Sequence, residues 1–119
     1  METFRSTQLL GESDDRRFRR MGSESVHIRA GMLGLAAHES FEMHAHTESS
    51  EIFFFVSGRA TYWDQWQEGH AIGPGDLIVV EPGEMHAFRA GDDNLVVLAV
   101  VAPNLNHKDT VYAETAGRP

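Results

Sequence analysis

The chain has 119 residues, a formal net charge of −8 at pH 7 and no cysteine. That length suits one domain with one core. The missing thiols exclude disulfides and thiolate-held metals, and the acidic balance argues against a general nucleic-acid binder or attraction to an anionic membrane surface.

No run reaches the ~18 apolar residues a spanning helix needs. Residues 1–10 lack a signal-peptide pattern, so the expected location is the cytoplasm. Residues 1–25 show no period. Arg16, Arg17, Arg19 and Arg20 follow Asp14 and Asp15. The adjacent aspartates favour a solvated arm over a phosphate-binding patch, with Phe4, Leu9, Leu10, Phe18 and Met21 pinning it to the domain or to a second subunit. Residues 26–36 alternate weakly and predict one or two strands with a bend at Gly31 or Gly34. Residues 37–43 read as a loop.

Residues 51–57 are a strand whose near-continuous apolar run predicts cover on both faces. With Glu51 inward, Phe53 and Phe55 share its face, and Ile52, Phe54 and Val56 take the other. Ser57-Gly58-Arg59 reads as a hairpin turn and residues 60–64 as its return strand. Residues 70–72 form a short strand before the turn Gly73-Pro74-Gly75-Asp76. Residues 77–80 and 86–89 are further strands parted by Pro82-Gly83. After the turn Gly91-Asp92-Asp93-Asn94, residues 95–101 are the clearest buried strand, and Pro103 ends it. The chain therefore divides into an arm (1–25), a barrel (26–103) and a tail or edge strand (104–119). Many short strands with turn signals roughly every 8–12 residues indicate an all-β sandwich or barrel.

One stretch carries chemistry. His44 and His46 stand two apart, so on a strand both project to one side. Glu51 opens the next strand and reaches the same point if the chain bends at residues 47–50. Glu48 is the alternative carboxylate. His86 opens a later strand and supplies a fourth donor. Imidazole and carboxylate together suit one divalent first-row metal: Fe, Mn, Ni, Zn or Cu. Left unpaired inside a barrel, these groups would cost several kcal/mol, and a bound cation converts that cost into ligand bonds. Phe53, Phe55, Trp63 and Phe88 are candidates for a substrate pocket. His38 and Tyr62 are candidate catalytic groups, His38 because imidazole titrates near neutrality. His70 borders a turn and reads as exposed.

These residues resemble the two motifs of the cupin superfamily. In the first, His44, His46, Glu51 and Gly58 stand at the motif's spacings, and His38 occupies the place of its leading glycine. In the second, Gly75, Gly83 and His86 match, while Glu81 replaces a proline and Ala90 an asparagine. The departures touch turns and no metal ligand, and the resemblance covers roughly residues 32–103. It implies a double-stranded β-helix, or jelly roll, of two antiparallel sheets, with His44, His46, Glu51 and His86 on one metal. It also implies a homodimer. Similar small cupins include dioxygenases, isomerases, cyclases and lyases. The expected function is thus a metal-dependent enzyme acting on a small organic molecule, with a non-catalytic small-molecule binding barrel as the alternative.

Overall fold

A computed structural model describes residues 17–21 and 27–113. Ten strands follow in order: β1 (Arg17–Met21), β2 (Arg29–Leu35), β3 (Ser40–His46), β4 (Ser50–Ser57), β5 (Ala60–Trp63), β6 (Gly69–Ile72), β7 (Leu77–Val80), β8 (His86–Ala90), β9 (Leu95–Ala102) and β10 (Thr110–Tyr112). They form two five-stranded sheets, ordered β1-β2-β9-β4-β7 and β10-β3-β8-β5-β6. Every pairing is antiparallel. The all-β jelly roll expected from the sequence is what forms. No helix among the described residues is long and apolar enough to cross a membrane.

Strand β9 organises the first sheet. Leu95, Val97, Ala99 and Val101 alternate inward along it, as the period of two requires. Its registers with β2 and β4 set transverse rows across the inner face: Arg29–Val101–Glu51, Gly31–Ala99–Phe53 and Leu33–Val97–Phe55. Residues directly opposite on paired strands share a face, so each row is a layer of the barrel interior. The core fills the lower layers, where Phe53, Phe55, Phe88, Leu35 and Leu95 are fully enclosed. Phe88 is its hub. Its ring stacks on Phe41 at 5.1 Å and meets Phe53 and Phe55 edge-on at 5.2 and 5.6 Å, the offset and edge geometries that aromatic quadrupoles favour.

Several expectations change. The glycines of β2 do not bend it. Gly31 and Gly34 pair in unbroken ladders with β1 and β9. Strand β3 begins at Ser40, inside the expected loop. Gly58 does turn the chain, at φ +86°, where an added Cβ would run into the Asn94 carbonyl. It is not a hairpin, however, because β4 and β5 lie in different sheets. The turn signal marks a reversal but not which sheet receives the next strand.

Nor is β4 covered on both faces. Glu51, Phe53 and Phe55 are buried as expected, yet Ile52 and Val56 are exposed, as are Leu77 and Val79 on neighbouring β7. Most of the expected N-terminal arm lies outside the described residues, as do residues 114–119. Within the arm, Arg17–Met21 form β1, the edge strand beside β2. The tail contributes β10, which pairs with β3.

Candidate metal centre

Three strands of two sheets bring the donors together. His44 and His46 leave β3 on one face, and His44 lies opposite His86 of β8 in register. Glu51 enters from the facing sheet on β4. All four residues are buried, and one ligand atom from each lies within 4.8 Å of all the others. The imidazole centroids of His44 and His86 are 4.2 Å apart, and those of His44 and His46 5.2 Å.

Neighbouring acceptors set the orientation of each ring. His44 Nδ1 lies 2.7 Å from the Glu42 carbonyl oxygen, and His86 Nδ1 lies 3.0 Å from that of Glu84. A carbonyl only accepts, so both Nδ1 atoms carry the proton, and in a neutral ring the lone pair then sits on Nε2. His46 Nδ1 is 3.2 Å from Thr110 Oγ1, with Asp109 Oδ1 behind at 3.8 Å. The Nε2 atoms of His46 and His86 stand 3.1 and 3.2 Å from Glu51 Oε1. Even so, neither Glu51 Oε1 nor His86 Nε2 makes a correctly directed hydrogen bond. Converging lone pairs with enforced Nδ1 protons, and two buried polar atoms left unsatisfied, are what a cation between them would resolve. The donor set therefore fits a divalent first-row ion.

The electrostatics agree. Burial, with the His86 charge next, pushes the His44 pKa down to about 4, overriding the Glu42 carbonyl. Burial opposes ionisation of Glu51, but the imidazoles of His46 and His86 outweigh it and hold the carboxyl at about 2. A neutral His44 and an ionised Glu51 are the protonation states that bind metal.

The bend between His46 and Glu51 is built by a residue the sequence reading did not single out. Asp109 Oδ2 accepts from the amides of Glu48 and Ser49 at 3.1 and 2.9 Å. The Asp109 carbonyl accepts from Thr47 N at 2.9 Å. Ser49 Oγ donates to the Pro103 carbonyl at 2.9 Å. Gly83 N donates to the His46 carbonyl, tying the second motif's turn to the first motif. The motif departures are accommodated locally: His38 adopts φ +68° in its glycine's place, and the Glu81 amide donates to Glu84 Oε1 at 2.8 Å.

A cavity of about 410 Å³ opens beside the cluster. Its lining includes Arg29, Leu33, Phe41, Phe53, Ala99, Val101, His107, Thr110 and Tyr112 together with His44, His46 and Glu51. Of the four expected pocket residues only Phe53 is among them. Phe55 and Phe88 face inward but are packed in the core beside the cavity-lining Leu33 and Phe41 of their rows, and Trp63 packs at Gly69 on the far flank.

The two expected catalytic groups also lie elsewhere. His38 sits in the β2–β3 turn, exposed, with Nε2 3.5 Å from Asp92. It precedes His44 by six residues, just before the start of β3, while His44 lies near that strand's end. Tyr62 is buried in the core, stacked near His86 and Phe88. Burial and then Glu84, Glu51 and Asp64 push its hydroxyl pKa up. His70 is exposed against Asp64 at 2.9 Å, as expected. Phe41 enters the cavity because β3 bulges. Phe41 pairs with Phe88 and His44 with His86, so three steps on β3 match two on β8. The extra residue puts Phe41 and His44 on one face, with rings 4.9 Å apart.

A family model described as the cupin domain matches residues 31–101. A search of curated proteins finds no match. Among solved structures, an uncharacterized conserved protein with a double-stranded β-helix domain from Klebsiella pneumoniae is similar at 17% identity and TM-score 0.82. That match covers 94% of this chain and 96% of the other. The DMSP lyase DddQ from Ruegeria pomeroyi is similar at 24% identity and TM-score 0.71, over 86% of this chain and 54% of that one. Pac13, a nucleoside dehydratase seen in a Streptomyces structure with uridine, is similar at 17% identity and TM-score 0.72, over 94% and 91%.

Proposed function

The chain belongs to the cupin domain family, and on that premise we propose that it is a metal-dependent enzyme acting on a small organic molecule in the cavity beside the histidine–glutamate cluster. The observation that carries this reading is the convergence of Nε2 lone pairs, with Nδ1 protons fixed by carbonyls, on an otherwise unsatisfied Glu51 oxygen. His44, His46, His86 and Glu51 would hold the ion, and a bound ion supplies a Lewis acid or redox centre at the inner end of the cavity.

The chain's own residues do the rest. The Glu42 and Glu84 carbonyls and Thr110 keep the imidazoles aimed. Leu33, Phe41, Phe53 and Val101 keep water off the substrate's apolar part. Tyr112 and His107 stand at the cavity wall as groups able to move protons. Neighbours of like fold that are named a lyase and a dehydratase support a non-redox reaction (isomerase, cyclase or lyase) over a dioxygenase. A homodimer is part of the proposal, supported by the exposed Ile52, Val56, Leu77 and Val79 on one outer sheet face.

The test is metal content by mass spectrometry on untagged protein, wild type beside His46→Ala. About one equivalent of a transition metal is expected, lost in the variant. No metal in either protein after reconstitution with each candidate ion would overturn the reading. Oxygen uptake by the Fe(II)-loaded protein above the metal-free control would overturn the non-redox choice. A ligand held without turnover would leave a binding barrel.

A further inference from the structure

We propose that the molecule this cavity takes is a small carboxylate, received by Arg29. The inference deepens the proposed function by naming the substrate class of that site, and it rests on that reading for the reacting end only. Arg29 is the first residue of β2 and is 3% exposed, an unusual state for an arginine. It lines the same cavity as His44, His46 and Glu51.

The register fixes how the two ends relate. Arg29, Val101 and Glu51 form one transverse row on the inner face, so Arg29 and Glu51 are two strand spacings apart, roughly 10 Å between Cα atoms. The Glu51 Oε1 atom lies against His46 and His86 of the facing sheet, at 3.1 and 3.2 Å. Val101 lies between them in that row, and Ala99, Phe53 and Leu33 line the cavity from the rows beneath.

The cavity thus has a cationic end, an apolar middle and an imidazole–carboxylate end. Guanidinium keeps its charge at every relevant pH, and its planar fork matches two carboxylate oxygens at once. The protein's net charge of −8 repels anions at long range, so an anion is selected by this interior cation rather than by the surface. The geometry calls for a carboxyl group separated by a few carbons from the part that meets the cluster.

The test compares each acid with its neutral amide: benzoate with benzamide and hexanoate with hexanamide, by calorimetry. Chelator-treated protein is used, so that a carboxylate cannot gain by binding metal. Wild type should prefer acid over amide by about tenfold or more. Arg29→Gln should abolish that preference while its metal content after reconstitution equals that of wild type.

Equal binding of acid and amide by wild type, or an acid preference that survives Arg29→Gln, would overturn the proposal. Inorganic phosphate that displaces the acids and binds more tightly than they do would overturn the carboxylate assignment. If Arg29→Gln does not fold, Arg29→Lys decides: it keeps the charge and loses the fork, so weaker acid binding is expected and unchanged binding refutes. The comparison stands apart from the metal reading. Absence of metal would leave the acid preference to be scored, and a full metal site with no Arg29-dependent preference would sink this proposal alone.

Discussion

Acid should weaken the metal-free protein through His44. In the folded state, burial and the neighbouring His86 push its pKa down from 6.5 to about 4. Between those values the unfolded chain binds a proton that the folded chain refuses. Stability therefore rises with pH across this window and is lost as pH falls from 6.5 toward 4. At about 1.4 kcal/mol per pH unit, the loss approaches about 3 kcal/mol at the bottom of the window. Glu51 extends the same slope lower. Its carboxyl is held at about 2 against an ordinary 4.5, so the unfolded state again protonates first.

The assay is urea unfolding followed by tryptophan fluorescence, with chelator present, from about pH 7.5 to about pH 4.5. His44→Gln keeps a polar side chain and removes the titrating ring. The difference in unfolding free energy between wild type and variant should shrink by about 2–3 kcal/mol as pH falls through the window. Parallel stability–pH curves for the two proteins would refute the assignment of that slope to a neutral, buried His44.

Asp109→Ala should free the amides of Glu48 and Ser49, destabilise the fold by about 1–3 kcal/mol and weaken metal binding by about 10–100-fold, read by unfolding and by competition with a chromophoric chelator; unchanged affinity would mean the bend holds without it. Phe88→Ala should cost about 3–5 kcal/mol, because the ring is fully buried among Phe41, Phe53, Phe55 and Tyr62; a loss under about 1 kcal/mol in urea unfolding would contradict its place as the hub. Leu77→Lys with Val79→Lys should leave the monomer's stability within about 0.5 kcal/mol and convert a dimer to monomer in light scattering; a dimer that persists places the interface elsewhere.

Where the sequence spoke clearly, it did so through parity. The two-residue spacing of His44 and His46, and the alternation that put Glu51, Phe53 and Phe55 on one side of β4, are properties of any strand and survive into the fold. Parity gives the face but not the depth. Phe55 and Phe88 are inward as expected, yet they pack in the core and do not line the cavity, although Leu33 from the row of Phe55 does. Phe41 was hidden by the bulge, which shifts the alternation by one residue within three.

Arg29 was hidden because buried arginines are rare and its stretch alternates weakly. Asp109, Thr110 and Tyr112 lie in polar sequence with no period. Their contribution is a set of contacts across some sixty residues, among them Ser49 to Asp109, and nothing local announces such pairings. The exposed outer face of β4 could not be read either, since an apolar run looks the same under a second sheet, a second subunit or water.

The anchoring of residues 47–50 by Asp109 also bears on the order in which the site is built. Three of the four donors lie within residues 44–51 and leave the ribosome together, at about 5–20 residues per second. The carboxylate that bends the chain between them comes 58 residues after Glu51 and the strand that flanks His46 follows immediately, with Thr110 opposite His46. A nascent chain therefore displays His44, His46 and Glu51 for several seconds without the geometry that makes them a chelate. The finished centre is among the most non-local features of the fold, and its assembly comes late, with the closing of the last described strand.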